Sequence, residues 1–77
     1  MSRDYTDEDA RNDRQWIQRN AKNAEVLRGM IYNLQSVIRN AQQCISGRGT
    51  QDDWDRYDEI RVAEGNLSLC QSLLSQL

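Results

Sequence analysis

Residues 24–45, AEVLRGMIYNLQSVIRNAQQCI, set Ala24, Leu27, Ile31, Leu34, Ile38, Ala41 and Ile45 at alternating steps of three and four. An α-helix completes a turn every 3.6 residues, so these side chains line one face of a helix. The same spacing returns in Ile60, Ala63, Leu67, Cys70, Leu74 and Leu77. The fold class that follows is all-α, built from two amphipathic helices.

The limits of those helices come from capping chemistry. Thr6 followed by Asp7, Glu8 and Asp9 reads as a helix start, with a hydroxyl to accept from an orphan amide and carboxylates to complement the positive helix end. The chain has no proline, and nothing else interrupts the pattern before Gly47 and Gly49. The first helix is therefore expected to run from about 7 to about 46, near 60 Å at 1.5 Å per residue. Ser46-Gly47-Arg48-Gly49 is the strong loop signal, and Thr50-Gln51-Asp52-Asp53 repeats the capping logic. The second helix is expected over about 51–76, and so short a connection makes the pair an antiparallel hairpin. Ile38 then sits level with Ile60, Leu34 with Ala63, Ile31 with Leu67 and Leu27 with Cys70, several of them matching a large side chain with a small one.

This hairpin leaves apolar surface uncovered. The first helix outruns the second, so within the single domain 1–77 residues 1–19 are expected to overhang as an N-terminal extension, leaving Trp16 and Ile17 without an intrachain partner. A second apolar row flanks the main stripe: Met30, Val37 and Cys44 on one helix, Val62, Leu69 and Leu73 on the other. A second copy would cover it, which predicts a homodimeric four-helix bundle with Ile17, Met30, Val37, Val62, Leu69 and Leu73 at the interface. In layout alone this is similar to small dimeric helical-hairpin regulators such as plasmid copy-number RNA-binding proteins. No motif accompanies the likeness, so it implies nothing about activity.

A 77-residue domain gains little from its own core unless something staples it. Histidine is absent, which removes zinc sites of the Cys/His type, and two cysteines are too few for a thiolate cage. Cys44 and Cys70 fall roughly 25 Å apart along the hairpin axis, too far to bridge. Free thiols, no long apolar segment and no basic-apolar leader make a reduced cytoplasmic setting, away from membranes, the expectation.

Charge is divided along the chain, whose formal net charge is −2. The first nine residues set Arg3 against Asp4, Asp7, Glu8 and Asp9. Residues 10–48 are basic, with Arg11, Arg14, Arg19, Lys22, Arg28, Arg39 and Arg48 against Asp13 and Glu25. Residues 49–77 are acidic, with Asp52, Asp53, Asp55, Asp58, Glu59 and Glu64 against Arg56 and Arg61.

Catalysis has little to work with. There is no histidine to act as general acid or base, and neither cysteine has a cation placed beside it by the sequence. The carboxylates of 52–59 are what the helix dipole favours at an N-terminus. The expectation is a protein that is not an enzyme and binds no cofactor or metal. The best candidate contact site is the acidic, aromatic segment itself, Trp54, Tyr57, Asp55, Asp58 and Glu59, with Trp16 as a further anchor, since aromatic side chains ringed by charge typify interfaces.

The function expected is therefore a non-enzymatic regulator or inhibitor that covers the surface of a larger protein. Short chains that phages or other mobile elements encode against host machinery have this size and this lack of chemistry. An alternative is a nucleic-acid-binding hairpin in which Arg11, Arg14, Arg19, Lys22 and Arg28 neutralise phosphates. Two local acidic clusters, Asp4 to Asp13 and Asp52 to Glu59, suggest the opposite, a patch that enters a basic groove in place of phosphates. A third reading is a structural subunit that completes another assembly's helical bundle. Gly29 and Gly65, inside the helices at outward positions, are either tolerated surface glycines or points of close approach by a partner.

Overall fold

The computed structural model describes residues 5–77. Three helices form: α1 (Asp7–Arg19), α2 (Ala24–Gln43) and α3 (Gln51–Ser75). The antiparallel pair foreseen from the spacing is α2 on α3, which carries most of the packing, and α1 docks mainly on α3.

The single long helix expected over 7–46 is thus two helices, and the molecule is only 42 Å in its longest dimension. Two asparagines make the break. Asn20 closes α1: its backbone N–H donates to the carbonyls of Trp16 and Ile17 at 3.1 and 3.2 Å, and its side-chain amide donates to Trp16 O at 2.9 Å. Asn23 opens α2, its Oδ1 accepting from the Val26 N–H at 3.2 Å. Each side chain satisfies backbone groups that a helix end leaves open, so the chain can stop and restart within four residues. At the start of α1, Thr6 and Asp9 form a complete capping box, Thr6 Oγ1 accepting from Asp9 N and Asp9 Oδ2 accepting from Thr6 N, both at 3.1 Å.

The break returns α1 to the body of the protein. Ile17 has no exposed surface and joins Tyr5, Leu27, Met30, Leu34, Ala63 and Cys70 in the core. The expected overhang is therefore, over the described residues, a docked helix; residues 1–4 lie outside them, and with them Arg3 and Asp4. Ile17 and Met30, expected at a dimer seam, are buried within one chain, while Val37, Val62, Leu69 and Leu73 are partly buried against the same core. Of the row that called for a second copy, all but the exposed Cys44 is thus wholly or partly covered by the chain itself.

The buried face of α3 also differs from its apolar spacing. Its buried residues are Asp53, Arg56, Glu59, Ala63, Asn66 and Cys70. These positions keep the three-four rhythm, yet four of the six side chains are polar or charged. Ile60, Leu67 and Leu74 flank that face, partly buried, and Leu77 is exposed. Charges survive there only in company. Arg56 Nη1 lies 2.9 Å from Glu59 Oε1, and Arg56 Nη2 lies 3.6 Å from Asp52 Oδ1.

Asn66 ties α1 to α3. Its side-chain amide donates to Tyr5 Oη at 3.1 Å and to the Ala10 carbonyl at 2.9 Å, and its Oδ1 accepts from Arg14 Nε at 3.3 Å. Tyr5 in turn donates to Asp13 Oδ2 at 2.6 Å. Burial, and then the bond to Asp13, hold the Tyr5 phenol well above its ordinary ionisation range.

Candidate protein-binding surface

The first turns of α3 are fixed from below. Asp53, three residues after the N-cap Thr50, turns its carboxylate back over the α2–α3 loop. It accepts from Ser46 N at 2.8 Å, from Ser46 Oγ at 2.8 Å, from Arg48 N at 3.0 Å and from Gly49 N at 3.1 Å. Thr50 Oγ1 caps the helix by accepting from Asp53 N at 3.2 Å. Gly47 and Gly49 adopt φ of 81° and 71°, conformations open chiefly to glycine, so the loop can wrap one carboxylate. Those donors, Ser46 N–H first, hold the Asp53 carboxyl below the usual range despite its burial.

With Asp53, Arg56 and Glu59 turned inward, the same helical period turns Trp54 and Tyr57 outward. They are 59 % and 47 % exposed. Their ring centroids stand 5.8 Å apart at an interplanar angle of 57°, within the tilted geometry that aromatic pairs favour. Asp55 and Asp58, both half-buried, occupy the same turns. Asp55 Oδ1 accepts from Gln51 Nε2 at 3.1 Å, and Asp58 Oδ1 from Arg61 Nη2 at 3.1 Å.

Of the residues expected to form a contact site, Trp54, Tyr57, Asp55 and Asp58 lie together, whereas Glu59 does not join them. It is buried beside Arg56, because the three-residue step from Arg56 keeps it on the inner face. Trp16, 49 % exposed, stands on α1 instead. Two aromatics stand outside the expected sites: Tyr5, buried, and Tyr32, exposed on α2, whose place one residue after the stripe position Ile31 was the available signal.

The basic residues of the nucleic-acid alternative are all exposed but no longer share a straight helix. Arg11, Arg14 and Arg19 belong to α1, Lys22 to the connection and Arg28 to α2. Arg11 and Arg14 border a groove of about 430 Å³, with Val62 and Gly65 across it on α3. The inserted glycines differ: a Cβ at Gly29 would meet open space, and one at Gly65 would touch the Arg14 guanidinium at 3.8 Å. Cys44 is exposed at the end of α2 and Cys70 buried in α3, both free. Among the described residues no three His, Cys, Asp or Glu side chains gather in a metal-binding cluster, and no helix is long and apolar enough to cross a membrane.

Comparison with protein-family models, with curated proteins and with solved structures found no match.

Proposed function

We propose that this chain is a non-enzymatic protein-binding regulator, acting in the cytoplasm, that inhibits a larger protein by covering part of its surface. Trp54 and Tyr57 are the anchor, and Asp55 and Asp58 are the acidic rim. The observation that carries the reading is the exposure of two paired aromatic rings on a helix start that Asp53 ties to the preceding loop. Anchors of this kind dominate binding energy when a partner desolvates them, and a preformed platform lowers the ordering cost of association. The partner's matching surface is an apolar cleft rimmed by Lys or Arg, since the rim carries carboxylates. A chain encoded by a phage or other mobile element against a host complex would work in this way.

The test is affinity purification from the native host with the wild-type chain and with Trp54→Ala. One stoichiometric protein, lost with the variant, its own activity abolished when the wild-type chain binds, is the expected result. Because Trp54 lies outside the core, the variant should melt within a few degrees of the wild type. Retained binding together with a markedly lower melting temperature would assign Trp54 to the fold and end the proposal. A salt-sensitive shift of RNA or DNA, abolished by Arg11→Ala and Arg14→Ala, would replace it with the nucleic-acid reading.

A further inference from the structure

The connection between α1 and α2 has an unusual property: it interrupts a helix without containing a helix breaker. Asn20-Ala21-Lys22-Asn23 includes neither glycine nor proline, and the apolar rhythm runs through it, Ile17, Ala21, Ala24, Leu27 and Ile31 being separated by four, three, three and four residues. The stop and the restart are marked by the two asparagine caps and by one turn bond between them, the Asn23 N–H donating to the Asn20 carbonyl at 2.9 Å. If both released their backbone groups, residues 7–43 would satisfy the spacing of one continuous helix.

The attachment of α1 is equally particular. Beside the apolar anchor of Ile17, Tyr5 and Ala10, three hydrogen bonds from the 5–14 segment converge on Asn66 of α3, and a groove of about 430 Å³ remains between α1 and α3. It makes little contact with α2, the helix it is joined to. An arm that docks on a distant element and is connected by a convertible hinge can dock just as well on that element in another copy.

We infer that this chain exchanges α1 between two copies: the 20–23 connection becomes helical, and each α1 takes the Asn66–Cys70 seat of the other copy. The occupant of the vacated seat is thus a second copy of this chain, through the contacts α1 makes within one chain. What changes is the hinge, whose two asparagine caps and Asn23–Asn20 turn bond are traded for continued helical hydrogen bonds, so the balance between forms depends on concentration. The exchange is independent of the Trp54–Tyr57 surface, which it leaves exposed in both forms.

The measurement is mass by light scattering across micromolar to millimolar concentration, for the wild type and for Asn20→Ala/Asn23→Ala, with hydrogen exchange at the hinge in each separated form. The wild type should show a dimer at the upper end. The double variant, lacking the caps that favour the break, should dimerise at least about tenfold more tightly, and Lys22→Gly, which penalises a helix at the hinge, should dimerise less. In the dimer the Ala21 and Lys22 amides should exchange more slowly than in the monomer, being paired to the Ile17 and Gln18 carbonyls. A wild type and a folded double variant that both stay monomeric at millimolar concentration would overturn the inference. So would a dimer whose hinge amides exchange as fast as the monomer's, which would be a side-by-side pair.

Discussion

Cys44 and Cys70 carry one functional group into opposite surroundings. Cys44 is exposed at the end of α2; Cys70 has no exposed surface, and burial, reinforced by the nearby Asp13 carboxylate, raises its thiol pKa. Thiolate is the reactive form, so a thiol reagent at neutral pH should modify Cys44 rapidly and leave Cys70 until the chain unfolds. Intact mass over a time course checks this: a single rapid addition is expected, and two simultaneous additions to folded protein would refute the packing around Cys70. The apolar half of the core was readable residue by residue, as Leu27, Leu34, Ala63 and Cys70 fall where the spacing puts them. Arg56, Glu59 and Asn66 were not: the first two are buried as a pair on α3 itself, and Asn66 owes its place to Tyr5, Ala10 and Arg14 across the interface. A helical period says that Arg56 and Glu59 share a face, but it does not say that the face is covered.

At the scale of elements, the start of α3 and the loop before it behave as one unit organised by Asp53. A carboxylate whose pKa falls on folding stabilises the native state fully above its ordinary value near 3.8, and that contribution is lost as pH falls through the lower, native value. Asp53→Asn forgoes it at every pH. The melting temperature of the wild type should therefore drop more steeply than that of the variant between pH 4 and pH 2, with the variant melting lower at pH 7; parallel curves by circular dichroism would separate Asp53 from loop stability. The limits of α3 and the Gly47 turn were legible because Thr50 and the glycines are strong local signals. The break at 20–23 was hidden for a physical reason. Asparagine is only mildly unfavourable inside a helix, so nothing local makes caps of Asn20 and Asn23; their capping accompanies the return of α1 that buries Ile17.

For the whole molecule, that burial is decisive. A domain of this length holds only a few kcal/mol in reserve, and Ile17 is the one fully buried apolar side chain of α1. Removing a buried isoleucine side chain to alanine costs about 2–5 kcal/mol. Ile17→Ala should accordingly shift the urea midpoint far below the wild type's and lower helicity at 25 °C; a midpoint within the error of the wild type's would mean that α1 contributes nothing to the fold. The dimer expected from sequence rested on the flanking apolar row and, in part, on counting this residue as uncovered; three-dimensional folding reassigned it, which no one-dimensional pattern records. Asn66 has a consequence of its own. Oil slides on oil, but an amide that must meet a phenol, a carbonyl and a guanidinium at once fits in one way only. Moving α1 by a single turn, about 5.4 Å, would strand all three. Asn66 thus works as an address more than as glue: it tells the arm where to land, and an arm that bears the matching phenol, carbonyl and guanidinium lands at the same place whichever copy receives it.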